Sequence, residues 1–264
     1  MRPIIIDDSN YREILQWHAE QGHGFGHLPR VSRVGELETS PGRCAPLLAD
    51  KILLIDEKEW PERIKEMTAK KLWPQDKYEA ASGKDSNQDG LEWCWAFSLT
   101  ECVMYTRVCA GEKHVPLAAE SLGGSVGYKN QGNSLDVALA YAIKHGICRA
   151  DFIPALCRDP SKFKTGWEQD ALNYRPIEDA VWDGGGQDLW AEFVTALLSG
   201  YPPYIAYNWA GHAMIGSKLI LDPSGEICTY TPNTWGPGQA WTLKGKKKVP
   251  DELYIPRVIT YCQN

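Results

Sequence analysis

Cys94, His212 and Asn233 are the residues of this 264-residue chain whose types and order could carry out nucleophilic chemistry. Cys94 ends a glycine-containing turn, in Gln88-Asp89-Gly90-Leu91-Glu92-Trp93-Cys94-Trp95-Ala96-Phe97, and the apolar pattern beyond it predicts a helix of which it is the first residue. A helix N-terminus carries unpaired N–H groups and a partial positive charge, so a thiol held there gives up its proton more readily to form the nucleophilic thiolate. Such a nucleophile needs a base, a group to orient the base, and donors for the oxyanion. Among the six histidines, only His212 sits in a strand-rich segment, at the start of the run Gly211-His212-Ala213-Met214-Ile215. Asn233, in Pro232-Asn233-Thr234-Trp235-Gly236, offers an amide to the imidazole, and Trp235 a ring to keep water from that bond. Singly, each has an ordinary explanation: a packing cysteine, a satisfied core histidine, a turn asparagine. Together they have the order of a nucleophile, its base and its orienter.

The elements that must position them follow from periodicity. Beyond Cys94 the helix is apolar nearly all round, through Ala96, Phe97, Leu99, Val103, Met104 and Val108 to Gly111, which predicts a central, buried support for its tip. Near the start, Asn10 and Glu13 have capping-box spacing, predicting a helix that buries Ile14, Trp17 and Leu15. His18, His23 and His27 follow among Gly24 and Gly26; the glycines indicate a flexible loop, no acidic or thiol ligand completes a set, and no metal is expected. Residues 31–56 read as irregular, ending in a short strand over 52–55. Pro61 marks the first turn of a helix carrying Trp60, Ile64 and Met67, stopped at Trp73-Pro74. Residues 74–90 read as an extended polar loop, dividing an N-terminal appendage (1–80) from a catalytic body (81–264). Residues 117–134 read as loop, Ser134 caps a helix that Gly146 ends, 148–186 read as irregular, and 188–199 as helix. The period then becomes two, over 203–208, 213–221, 227–231 and 253–261. Helices first and antiparallel strands later give an α+β expectation. The run from Lys244 to Lys248 reads as a solvated loop.

Composition bounds the function. A net charge of −6 argues against nucleic acid or an anionic membrane surface as partner. No apolar run approaches the ~18 residues that a bilayer span requires. The start turns acidic at Asp7-Asp8, too soon for a signal peptide, so a cytoplasmic or otherwise intracellular protein is expected. Cysteines 44, 94, 102, 109, 148, 157, 228 and 262 contain no CxxC pair, so reduced thiols are expected rather than disulfides or a thiolate metal site, and no cofactor is called for. Eleven Trp and twelve Tyr suggest a rigid, aromatic-lined interior or cleft.

At these motifs the chain resembles the papain-like cysteine peptidases. Gln88 with Cys94-Trp95-Ala96-Phe97 resembles the family's nucleophile motif, Gly211-His212-Ala213 its His-Ala segment, and Asn233-Thr234-Trp235-Gly236 its Asn-Ser-Trp-Gly motif. The similarity spans about residues 85–262. It implies a two-lobed fold, with a helical lobe carrying Cys94, a β-rich lobe carrying His212 and Asn233, and a polypeptide substrate extended between them. It also implies a Cys94–His212 thiolate–imidazolium pair, an oxyanion site at Gln88 and the Cys94 N–H, and Gly132 as the glycine whose backbone pairs with substrate.

Where the family has Gly and Ser, this chain has Glu92 and Trp93, and Leu91 stands where a disulfide cysteine is usual. Glu92, beside the first specificity pocket, is expected either to favour a basic residue there or partly to fill the pocket, and Trp93 to add bulk on the same side. Residues 1–80 lack the family's usual propeptide pattern, so a docking or regulatory role toward a protein partner is the expectation there. Three readings stand: a thiol peptidase, a silent papain-fold assembly protein docking through residues 1–80, and an acyl transferase of transglutaminase type.

Overall fold

The computed structural model describes residues 4–29, 54–126, 129–182 and 189–258. The central element is the helix that the apolar pattern predicts, Cys94–Cys109, buried along nearly its whole length. Numbered along the chain, the longer elements are β1 (Ile4–Ile6), α1 (Tyr11–Glu20), α2 (Trp60–Lys70), α3 (Pro74–Ala80), α4 (Cys94–Cys109), α5 (Glu120–Val126), α6 (Leu135–His145), α7 (Trp167–Ala171), β2 (Pro176–Trp182), α8 (Leu189–Leu198), β3 (Tyr204–Tyr207), β4 (His212–Ile215), β5 (Lys218–Leu221), β6 (Ile227–Thr231), β7 (Trp241–Leu243) and β8 (Glu252–Val258). The class is α+β. One sheet runs β1-β7-β6-β5, with β1 parallel to β7, and the other runs β2-β8-β3-β4, antiparallel throughout.

Two large apolar cores and a smaller cluster of Ala118, Cys148, Ile153, Phe163 and Ala171 hold these elements. In the first, α4 packs with α6 against Tyr204, Ala206, Ala213 and Ile215 from β3 and β4. In the second, Trp241, Leu243, Leu253 and Ile255 of the sheets meet α8 and, from the N-terminal side, Ile6, Trp60, Ile64 and Trp73. The described part of residues 1–80 therefore shares the cores of the rest.

Several expectations are corrected. Residues 74–80 are helical rather than extended: Pro74 occupies a first-turn position, where its missing N–H costs nothing, and Tyr78 is buried. Residues 120–126 are helical although glycine-rich, because the glycines admit neighbours: a Cβ on Gly123 would overlap the Trp93 ring, and one on Gly124 would crowd Phe163. In α1 the buried residue is His18, while Trp17 is 43% exposed. The Asn10 side chain accepts from the Asp7 N–H instead of capping that helix. Residues 148–186 contain α7 and the seven-residue β2. The run expected as one strand over 213–221 divides into β4 and β5, which fall in different sheets, and β1 and β7 complete the sheet of β5 and β6. Lys244 and Lys248 are not simply solvated but pair with Asp222 and Glu226 at 2.5 and 3.1 Å. The strand expected over 52–55 lies largely outside the described residues.

Among the described residues, cysteines 94, 102, 109, 148, 157 and 228 are free, and no helix is long and apolar enough to cross a membrane.

Candidate active site

Cys94 is the first residue of α4, His212 the first of β4, and Asn233 lies in the turn after β6. Two packed elements thus deliver the thiol and the imidazole: the Ser98 hydroxyl in α4 donates to the Ala213 carbonyl in β4 at 2.7 Å, and the Tyr204 hydroxyl donates to the Trp95 carbonyl at the same distance. Cys94 and His212 are fully buried, and Asn233 is 1% exposed.

His212 Nε2 lies 2.9 Å from Asn233 Oδ1. The amide oxygen only accepts, so Nε2 carries the hydrogen and the neutral ring keeps its lone pair on Nδ1. That Nδ1 is buried and has no hydrogen-bond partner among the described residues. Trp235 stacks on His212, with ring centroids 4.5 Å apart.

The Cys94 Sγ accepts from two backbone N–H groups, those of Ala213 at 3.4 Å and of Gly26 at 3.3 Å. Burial pushes its pKa up to about 11, against the smaller opposing effect of those two donors. Burial likewise brings His212 down to about 3, although the bond to Asn233 works the other way. In this state the thiol and the imidazole are both neutral at pH 7.

What buries them is a segment of the same chain. Residues 22–28 run between the Cys94 side and the His212 side and bond to both. The His27 N–H donates to the Gly211 carbonyl at 2.9 Å, the Asn133 N–H to the Gly26 carbonyl at 2.8 Å, and the Leu28 N–H to the Asn133 carbonyl at 3.0 Å, making a parallel bridge of His27 with Asn133. Phe25 meets the edges of His212 and Trp235, and His23 stacks on Trp235. The close fit depends on glycine. A Cβ on Gly24 would overlap the Leu91 carbonyl, one on Gly26 the Glu92 carbonyl, and one on Gly132 the Gly26 carbonyl. The strand-like bonds at this point are made by the Asn133 backbone, and Gly132 supplies the room.

Gln88 is buried, and its Nε2 donates to the carbonyls of Gly24 at 3.0 Å and Leu91 at 2.6 Å, while its Oε1 accepts from the Thr234 hydroxyl. The Gly24 carbonyl takes a second bond, from Trp235 Nε1 at 3.2 Å. Glu92 is exposed, whereas Trp93 turns inward against Gly123 and is fully buried, so its bulk belongs to the packing of the helical side. Two open cavities, of about 360 and 510 Å³, are lined elsewhere, the first by Tyr141 and Trp167 and the second by Asn130 and Arg158. Sequence reasoning missed residues 24–28 and Asn133; the available signal was the alternation of glycine with Phe25 and His27, which reads equally well as a loop.

No protein-family model and no curated protein matches the sequence. Solved structures do. Procathepsin L 3 from the larval midgut of Tenebrio molitor superposes with a TM-score of 0.55 at 16% identity, over 67% of this chain and 66% of that one. Bromelain from Ananas comosus, in complex with the inhibitor E64, gives 0.53 at 13% identity, over 66% of this chain and 93% of that one. Xylellain, a cysteine protease from Xylella fastidiosa, gives 0.51 at 14%, over 67% and 83%. The fold is papain-like. This chain spans just under two thirds of the procathepsin, and at these identities the papain-like architecture is what the two share.

Proposed function

We propose that this chain is a thiol peptidase with Cys94 as nucleophile, His212 as its base, Asn233 as the orienter of that base and Gln88 as an oxyanion donor, held closed by residues 22–28. The observation that carries the reading is the His212 ring: fixed by Asn233 and Trp235, it keeps one buried nitrogen, Nδ1, without a partner among the described residues, while the N–H of the next residue, Ala213, bonds to the thiol.

Withdrawal of residues 22–28 takes the Gly26 N–H off the Sγ and admits water, which removes the main cause of the raised thiol pKa and the lowered imidazole pKa. The thiol proton then passes to His212 Nδ1, and the imidazolium remains bonded to Asn233 through Nε2. The thiolate attacks the substrate carbonyl carbon. His212 returns the proton to the leaving amine, and water then cleaves the thioester, with His212 again as base. The Gly24 carbonyl leaves with the segment, so Gln88 Nε2 loses that partner and can donate, beside the Cys94 N–H, to the oxyanion. Residues 1–80 thereby act as regulators of the site rather than as a detached appendage.

A silent papain-fold assembly protein is favoured by one observation, that both contacts of Gln88 Nε2 are spent inside the protein. One experiment separates the two. The full chain carrying Gly26→Ala is assayed on fluorogenic peptides, with Cys94→Ala beside it and with amine acceptors present to reveal acyl transfer. Cys94-dependent peptide hydrolysis supports the peptidase. No turnover by a chain whose Cys94 alkylates freely supports the silent protein.

A further inference from the structure

Glu101 lies on a buried face of α4 and is 1% exposed. Cys94, Ser98, Glu101 and Tyr105 recur along α4 at a spacing that puts them on one face. Each of the four bonds to a neighbouring segment. The Cys94 Sγ and the Ser98 hydroxyl meet the backbone of Ala213, and the Tyr105 hydroxyl donates to Gln75 Oε1 at 2.9 Å. Glu101 Oε1 accepts from the Ser86 N–H at 2.5 Å, while its Oε2, also buried, has no hydrogen-bond partner among the described residues. A carboxylate is costly to bury, and more so with one oxygen unpaired, so packing alone does not account for Glu101.

Ser86 passes this contact on to the site. Its carbonyl accepts from the Gly236 N–H at 2.8 Å, and the Gln88 N–H donates to the Thr234 carbonyl at 2.7 Å; between these bonds Asn87 and Trp235 form an antiparallel bridge. Gln88 stands at one end of the bridge. On the opposite strand Thr234 follows Asn233, and Trp235 stacks on His212. The Thr234 hydroxyl also donates to Gln88 Oε1, which fixes the amide with Nε2 as the donor. Two backbone bonds are too few to hold a register by themselves in water. Glu101 ties the bridge to the helix that carries Cys94, so the oxyanion donor and the thiol are both referred to α4. A misplacement of about 1 Å between such groups can cost on the order of 10²-fold in rate.

We propose that Glu101 is a positioning residue of the site: its carboxylate, acting through Ser86, holds Gln88 and the Asn233–Trp235 turn in register with Cys94. This role rests on the peptidase reading for its reaction and on the Glu101–Ser86 contact alone for its geometry.

The test uses the full chain carrying Gly26→Ala, alone and with Glu101→Leu or Glu101→Gln. Leucine removes the acceptor, whereas glutamine keeps one without the charge. Three readouts are taken: kcat and KM on a fluorogenic peptide, capture of a peptide aldehyde by Cys94, and alkylation of Cys94 by iodoacetamide. In aldehyde capture the thiolate adds to the carbonyl carbon and the C=O electron pair moves to oxygen, so an oxyanion forms without turnover. Alkylation displaces iodide and forms none. Glu101→Leu is expected to lower kcat by roughly tenfold to a hundredfold with KM held, to weaken aldehyde capture by a similar factor, and to leave alkylation at its rate. Glu101→Gln is expected to recover most of both losses. The same pattern in aldehyde capture without any cleavage upholds Glu101 and defeats the peptidase. Equal cleavage by all three chains overturns the positioning role and leaves the peptidase standing. Alkylation that changes in step with kcat marks a general disturbance of the fold and overturns the role, as does the absence of both cleavage and capture.

Should Glu101→Leu fail to fold, Glu101→Asp replaces it, with the charge kept and the acceptor drawn back by one methylene; the same losses are expected, and full activity overturns the role. Should Gly26→Ala fail to fold, the otherwise native chain answers through hydrogen exchange at the Gln88 and Gly236 amides. Exchange there is expected to rise roughly tenfold in Glu101→Leu and to stay near the native rate in Glu101→Gln. Equal rates in all three chains, or a rise spread equally along α4, overturn the proposal.

Discussion

The backbone N–H of Gly26 points at the Sγ of Cys94 from 3.3 Å. A backbone donor from 68 residues upstream thus occupies the thiol. The carbonyl two residues earlier occupies Gln88, and Phe25 between them covers His212. Three groups with distinct parts in the proposed chemistry are engaged by three consecutive residues.

Gly26→Ala should therefore open the site. The added Cβ has no room against the Glu92 carbonyl, a backbone atom that cannot turn aside. Alkylation of Cys94, followed by mass spectrometry, is expected to be at least about tenfold faster than in the native chain, since a strained contact of this kind costs about 1–3 kcal/mol. An unchanged rate would mean that residues 22–28 already leave the site freely.

In that opened chain, His212→Ala should lower kcat by on the order of 10² to 10⁴, the contribution of a positioned base. Asn233→Ala should lower it less and change the pH profile, because the ring remains but is free to turn. Steady-state kinetics between pH 5 and 8 check both, and equal activity in all three chains would remove the triad.

Stability should depend on His212 and His18, both held at about 3, mainly by burial. Free imidazole titrates near 6.5, so below that pH the unfolded chain takes up protons that the fold refuses. Their contribution is complete above about pH 6.5 and is lost as the pH falls toward 3. Urea denaturation at pH 7.5, 6 and 5 should show a falling midpoint, with a shallower slope in His18→Gln.

Glu101 acts with the opposite sign. Burial is the main cause that raises its carboxyl to about 7, against the bond it accepts from the Ser86 N–H at 2.5 Å. Its contribution is complete below the ordinary carboxylate pKa and is lost as the pH rises through 7. Glu101→Gln keeps the acceptor, so it should raise the melting temperature at pH 8 while changing little at pH 4.5. A uniform shift at both values would contradict this.

Gly123→Ala should cost about 1–3 kcal/mol, because the Trp93 ring already fills the space of the new methyl. A melting temperature within a degree of the native value would show that α5 can move away.

The motifs were legible because chemistry restricts residue type: a helix beginning at Cys94, a strand beginning at His212 and the Asn233 turn all stand where their local patterns put them. What escaped was decided at long range. Gly123, Gly124 and Pro74 look like helix breakers in isolation, yet α5 and α3 form because Trp93 and Phe163 need the missing Cβ atoms and a first turn tolerates proline. His18 carries no local sign of burial; it is buried because Trp241, 223 residues away, donates to its Nε2 at 3.1 Å. Residues 24–28 escaped for the same reason, since the surfaces that straighten them come from Leu91, Asn133 and Gly211.

The parallel pairing of β1 with β7, Ile4 beside Trp241 and Ile6 beside Leu243, has a consequence for release. It stitches the start of the chain into the sheet, and α1 follows through the His18–Trp241 bond, so the blocking segment hangs from an anchored upstream piece. A single chain break beyond Leu28 would leave it in place, held by its upstream anchor at high effective concentration beside the thiol. Relief of the blockade would need that anchor to detach too, so nicking and activation would appear as two separate events in time.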